Sequence, residues 1–270
     1  MMVMNLKPLK KYSQNFLKNK CIQKKIVDAL DSKENDIIIE IGAGFGNLTQ
    51  LLVKKPYKEL ILLEIDPRCI KILNERFGKD AMIINRSILE FNFKELNIGG
   101  KVKVIGNIPY HLTSPIIFTL LKFKTHLDQA VLMVQKEVAD RILAKPSCKE
   151  YGVLSIMVAY KADVQRLFNV GRNNFYPVPQ VDSAVINLNM KPEVTDIIDY
   201  NLFNQVVRIT FQTRRKMLRN SLSRFLGKNI IDKIKTISLL KRPEQLSLQD
   251  FINLSNEISR IINNKLMLTI

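Results

Sequence analysis

Histidine and cysteine are both scarce in this chain. Its 270 residues include two histidines, His111 and His126, and three cysteines, Cys21, Cys69 and Cys148, which lie far apart and form no C-x-x-C pair. That distribution argues against a disulfide framework and against structural zinc. Two histidines are too few for a His-rich metal site, so no metal is expected. Acidic residues are also short in number: 25 Asp and Glu stand against 42 Lys and Arg, a formal charge of +17. The longest run without charge, Val104 to Leu121, is 18 residues. That approaches the length of a membrane span, but Gly106, Asn107, Pro109 and Pro115 interrupt it and suit a strand, a turn and a helix. The opening MMVMNLKP lacks an apolar signal core before its lysines. A soluble, cytoplasmic protein is expected.

What is present is cationic throughout. Thirteen basic and seven acidic residues lie from Pro192 onward, a net +6 that leaves +11 ahead of it. The first 25 residues hold seven lysines and no acid. Such an excess suits an acidic polymer or membrane surface as partner; a basic but inert surface is the competing reading of charge alone.

The apolar share of 46% supplies an ordinary globular core, and no internal repeat or low-complexity tract is evident. DIIIEIG (36–42), ELILLEID (59–66), AMIINRS (81–87), KVKVIGN (101–107) and QAVLMVQKE (129–137) read as buried strands, since they lack polar alternation. PRCIKILNERF and SPIIFTLLKF carry helical spacing between them. Strand–helix alternation predicts an α/β fold with a doubly wound, mostly parallel sheet, and VQRLFNV (164–170) with SAVINLNM (183–190) would close it as a late hairpin. From 199 to 262 only helical periodicity remains. The expected division is an α/β domain over 1–192 and a small all-α domain over 193–270.

Gly42, Gly44 and Gly46 in IEIGAGFGNLT follow the first strand, where glycine lets the backbone pass close to a ligand. Glu64 stands 22 residues after Gly42, at the end of the second strand, and a carboxylate there can accept ribose hydroxyls. The spacing GxGxG differs from the dinucleotide fingerprint GxGxxG, so S-adenosylmethionine is favoured over a nicotinamide. A third pattern is Asn107-Ile108-Pro109-Tyr110 after the fourth strand. An exocyclic base amine is a poor nucleophile because its lone pair is delocalised into the ring. Asn107 Oδ1 and the Ile108 carbonyl would hold its two hydrogens, Pro109 would fix the backbone that aims the carbonyl, and Tyr110 would stack on an extruded base.

These stretches, with YSQNFL (12–17), EID (64–66), QKEVADRI (135–142), YGVLS (151–155), FYPVPQVDSAV (175–185) and FQTRRKMLRNSL (211–222), resemble the KsgA-type small-subunit ribosomal RNA adenine dimethyltransferases from about Tyr12 to Ser221. The resemblance implies a class I methyltransferase that uses S-adenosylmethionine to dimethylate N6 of two adjacent adenosines near the 3′ end of small-subunit RNA. A partly assembled small subunit is the expected partner, and a monomer is expected because no motif suggests more. It implies that Asn15 and Leu17 close over the cofactor, Gly42 passes beneath it, and Asn107 lies between cofactor and target. It also implies that Phe175 is a second stacking face opposite Tyr110. One departure is Ser87, where many relatives carry an aspartate that binds the cofactor's adenine amine; a neutral hydroxyl should bind it more weakly.

Arg214, Arg215, Lys216, Arg219 and Arg224 read as one face of a helix over 211–225, with Met217, Leu218, Leu222 and Phe225 facing a core. The first four are expected to contact RNA phosphates, and the N-terminal lysines to extend that surface. Three other readings remain open: a large-subunit dimethyltransferase of the macrolide-resistance type, an assembly factor that binds RNA without catalysis, and a nicotinamide oxidoreductase. A DNA adenine methyltransferase is less favoured than the large-subunit enzyme.

Overall fold

The computed structural model describes residue 9 and residues 14–93, 102–192 and 196–267. Tyr12 and Ser13 of YSQNFL, Lys7, Lys10 and Lys11, and the expected boundary at residue 193 lie outside the described residues. Contacts divide the chain into two compact units, residues 1–139 with 162–190, and residues 140–161 with 191–270.

The first unit is built on a seven-stranded sheet. Its strands are β2 (Ile37–Ile41), β3 (Glu59–Glu64), β4 (Met82–Asn85), β5 (Val102–Asn107), β6 (Leu127–Gln135), β7 (Ala162–Val170) and β9 (Ser183–Met190), in the spatial order β4-β3-β2-β5-β6-β9-β7. The pairs among β4, β3, β2, β5 and β6 are parallel, whereas β9 runs antiparallel to both β6 and β7. All five expected strands and the late hairpin are present. Four of the runs are buried as read, because parallel strands covered on both faces need no polar alternation; β4 differs, since it is the edge strand and Met82 is 51% exposed. Ile38, Leu60, Leu62, Ile105 and Val131 meet Ile26 and Val27 of α1 (Lys20–Asp28), Leu52 of α2 (Thr49–Leu52) and Leu73 of α3 (Pro67–Phe77) in one core. The alternate residues Ile39, Ile61 and Val104 are fully buried on the other face. A short pair, β1 (Phe16–Leu17) with β8 (Phe175–Tyr176), lies apart from the main sheet.

Local chemistry sets the helix starts that frame the site. Asn19 caps α1 by accepting from the Cys21 and Ile22 N–H groups at 3.0 and 3.2 Å. Asp66 caps α3, with Pro67 at its first position, where the missing N–H costs nothing. Gly46 adopts φ +80°, and a Cβ there would come within 2.3 Å of the Phe77 ring, so the turn before α2 requires glycine for close packing on α3.

The second unit holds α6 (Val153–Lys161), α7 (Tyr200–Gln212), α8 (Leu218–Leu226), α9 (Lys228–Ile231) and α10 (Leu248–Met267); α5 (Lys136–Leu143) carries the chain into it. A single cut at residue 192 would leave residues 140–161 with the sheet, but their contacts lie with the C-terminal helices. Tyr160 packs on Tyr200 and Phe203 at 6.0 and 5.5 Å between ring centres, and the Tyr151 hydroxyl donates to the Leu246 carbonyl at 2.9 Å. No helix among the described residues is long and apolar enough to cross a membrane.

Candidate active site

One cavity opens at the carboxyl ends of β2, β3 and β5. Nine of the residues expected from the sequence line it: Asn15, Gly42, Gly44, Glu64, Ser87, Asn107, Ile108, Pro109 and Tyr110. The parallel register explains the convergence. Ile41 pairs with Leu63 and Gly106, so the Gly42 turn, Glu64 and Asn107 end their strands at one level.

Glu64 is 6% exposed, and the backbone holds its carboxylate. Oε2 accepts from the Gly44 N–H at 2.7 Å, and Oε1 accepts from the Ile65 and Asp66 N–H groups at 2.7 and 2.9 Å. A carboxylate offers about four lone-pair sites, so one remains for a ligand hydroxyl. Gly44 can present its N–H this way because its φ of +57° is open to glycine, and a Cβ there would sit 3.0 Å from the Phe16 ring.

Asn107 sits at the end of β5. Its amide nitrogen donates to the Asn15 carbonyl at 2.7 Å. A carbonyl can only accept, so this contact decides which end of the amide is nitrogen, and Oδ1 has no partner among the described residues. The next residue, Ile108, anchors its N–H on the Met133 carbonyl at 3.3 Å, while its own carbonyl accepts nothing from the described residues. Pro109 follows at φ −59° and ψ 130°. The Tyr110 phenol meets Ser183 Oγ at 2.6 Å, and burial raises its pKa above the ordinary phenol value.

Ser87 lies at the cavity wall, and its Oγ already accepts from the Leu89 N–H at 3.2 Å. Below the glycine loop, Glu40 on β2 is 2% exposed and accepts from Thr49 Oγ1 at 2.6 Å; burial pushes its pKa up to about 8, with the Thr49 bond opposing and Glu64 adding to the rise. Sequence reasoning passed over Glu40, although an acid inside the apolar run IIIEI was the available signal. It also passed over Gln14, Phe16, Ile65 and Ile88, which line the cavity. Gln14 Nε2 donates to the buried Asp66 carboxylate at 2.9 Å, and Phe16 stacks on Phe45 with ring centres 4.2 Å apart.

Two expected site residues are elsewhere. Leu17 is 3% exposed and belongs to the core, and its carbonyl accepts from Gln23 Nε2 and Asn47 Nδ2 at 2.7 and 3.0 Å. Phe175 is fully buried beside it, because the register of β1 with β8 pairs Leu17 with Phe175 and Phe16 with Tyr176. Opposed residues share a face of a strand pair. Phe175 therefore faces the core with Leu17, and Tyr176 is the exposed aromatic of β8.

The basic segment also differs from a continuous helix over 211–225. α7 stops at Gln212, α8 starts at Leu218, and Arg214, Arg215 and Lys216 fall in the turn between them. Arg214 is held within its own unit: Nε donates to Glu244 Oε2 at 2.8 Å, and the terminal nitrogens donate to the Cys148 and Lys149 carbonyls. Arg219 pairs with Asp232 at 2.7 Å on the surface. Arg215 and Lys216 are exposed, and their side chains have no partner among the described residues. Leu218 and Leu222 are buried as expected, whereas Met217, the N-cap of α8, and Phe225, in its last turn, are 39% and 37% exposed.

Residues 5–260 match the ribosomal RNA adenine dimethylase family. The chain is similar to the ribosomal RNA small subunit methyltransferase A of Malacoplasma penetrans, with 38% identity over 88% of this chain and 87% of that protein. It is similar to the protein of the same name from Bacillus mycoides, with 39% identity over 92% and 90% of the two chains. Among solved structures, a dimethyladenosine transferase from Plasmodium falciparum aligns with a TM-score of 0.76 and 28% identity, over 93% of this chain and 98% of that one. The 23S rRNA methyltransferase ErmE shares the fold, with a TM-score of 0.67 at 22% identity over 91% of this chain and all of that one. By the length of the family match and the identity to these relatives, the chain belongs to the ribosomal RNA adenine dimethylases, enzymes that methylate adenine with S-adenosylmethionine as donor.

Proposed function

We propose that this enzyme dimethylates N6 of two adjacent adenosines near the 3′ end of small-subunit ribosomal RNA, acting as a cytoplasmic monomer on a partly assembled subunit. The observation that carries the reading is the pair of unengaged acceptors at one corner, Asn107 Oδ1 and the Ile108 carbonyl, beside the Tyr110 ring. An everted adenine presents one amine with two hydrogens and one π-face. Two acceptors holding the hydrogens draw the nitrogen lone pair out of conjugation and direct it, and the ring fixes the base plane. Catalysis then rests on positioning and hydrogen bonding. The N6 proton leaves to water, since among the described residues no side chain at the corner is placed to take it.

The cavity fits the cofactor by its donor set. Glu64 offers an anionic acceptor to a ribose hydroxyl, Ile65 and Ile88 supply apolar walls for an adenine, and Ser87 Oγ keeps one lone pair for the adenine amine. When bound, S-adenosylmethionine supplies an electrophilic methyl on a sulfonium. Phosphate contact falls to Arg215 and Lys216, the cations of the α7–α8 turn without a partner among the described residues, and not to Arg214.

The small-subunit target is supported by the names of the relatives from Malacoplasma penetrans and Bacillus mycoides. The test is to incubate the enzyme with labelled S-adenosylmethionine and undermethylated ribosomal subunits, then map the modified nucleosides. Dimethyladenosine at two neighbouring sites of the small-subunit RNA is expected; label on large-subunit RNA would overturn the assignment.

A further inference from the structure

Ser183 is a polar residue in a place that suits an apolar one. It is fully buried at the start of β9, and the three residues after it, Ala184, Val185 and Ile186, are fully buried as well. Its backbone is paired on both sides, with Gln135 of β6 and Val170 of β7, so the sheet holds its position. A hydroxyl buried there without a partner would destabilise the fold. Among the described residues its side chain has one partner, the Tyr110 phenol at 2.6 Å.

Tyr110 needs such a tether. It opens a single 3₁₀ turn, Tyr110–Leu112, and belongs to no strand. The Pro109 carbonyl accepts from Leu112 N–H, and the Tyr110 carbonyl accepts from Thr113 Oγ1, both at 3.0 Å. Those bonds hold the backbone and do not reach the ring. The hydrogen bond at the far end of the ring ties it to the sheet.

We propose that Ser183 is a positioning residue for methyl transfer: it fixes the plane of the Tyr110 ring on which the target adenine stacks, and it occupies the phenolic oxygen so that Tyr110 serves as a platform and not as a base. The proposal rests on the reading of Tyr110 as the stacking face, given above.

The experiment is a double-mutant cycle on methyl transfer to undermethylated small subunits, with melting temperatures measured in parallel. Ser183→Ala and Tyr110→Phe should each lower kcat about five- to tenfold, the worth of one hydrogen bond, with KM for the cofactor unchanged. The double variant should be no slower than the slower single one, since both changes remove the same bond. The pH profile of kcat should be the same for Tyr110→Phe as for the parent enzyme. Tyr110→Phe leaves the sheet untouched and keeps the test valid if Ser183→Ala folds poorly. Tyr110→Ala, which removes the platform itself, should lose far more activity. If Tyr110→Ala is inactive while Ser183→Ala and Tyr110→Phe turn over at the parent rate, or if their losses multiply in the double variant, the proposal is overturned and the platform stands. If Tyr110→Ala retains full kcat, the platform reading falls and the proposal with it.

Discussion

The Asn107 amide donates to the Asn15 carbonyl across 92 residues of sequence, at 2.7 Å. This bond turns a flexible side chain into an oriented acceptor, because it engages the nitrogen and leaves the oxygen. Asn107→Ala should lower kcat by about 10²–10³-fold, the scale of losing one group aimed at developing charge, with little change in cofactor KM. Asn107→Asp should fall as far, although it is nearly isosteric, since a carboxylate oxygen would then oppose the Asn15 carbonyl. Rates of dimethyladenosine formation measure both.

Ser87 should limit cofactor affinity. An aspartate in its place would keep the bond from the Leu89 N–H and add a charged acceptor, and charge-assisted bonds are about twice as strong as neutral ones. Ser87→Asp should tighten cofactor binding about three- to tenfold by titration calorimetry. An unchanged dissociation constant would remove Ser87 from the adenine site.

The cations of the α7–α8 turn should separate by role. Arg214→Ala strands Glu244 and the Cys148 and Lys149 carbonyls, and should cost about 1–3 kcal/mol of stability in chemical denaturation. Arg215→Ala and Lys216→Ala should leave stability within about 0.5 kcal/mol. Each should instead flatten the salt dependence of RNA binding by about 0.7–0.9 in log–log slope. The opposite pattern would return Arg214 to the interface.

Phe175 should behave as a core residue. Emptying its site by Phe175→Ala should cost about 3–5 kcal/mol, while Phe175→Leu recovers most of the stability and keeps kcat per folded molecule. A large kcat loss in a stable Phe175→Leu protein would show that its ring reaches the target.

Glu40 should make stability fall as pH rises. Its folded pKa of about 8 lies above the ordinary 4.5, so between those values the unfolded chain has released a proton that the native state retains. Stability is therefore full below about pH 4.5, declines through the neutral range by a few kcal/mol at most, and levels off above about pH 8. Glu40→Gln keeps an acceptor for Thr49 Oγ1 and should abolish that slope in urea midpoints measured across the range.

The strand runs, the glycine loop with Glu64, and the Asn-Ile-Pro-Tyr corner were legible from residue order, because each is a local pattern whose physics acts within a few residues. A contiguous aliphatic run forms a covered strand, and a strand end followed by glycine or proline sets a turn. Side-chain partnerships were not legible. Phe175 and Tyr176 are neighbours in sequence, and only the register of β8 on β1 decides which of them faces the core. Arg214 and Arg215 carry the same charge, and only the approach of Glu244 and residues 148–149 ties one down and leaves the other exposed. Ser183 and Tyr110 lie 73 residues apart. Residue order alone determined which polar and aromatic groups stand at the strand ends; the tertiary structure decided which of them are held, buried or free, because that depends on atoms brought together from distant parts of the chain.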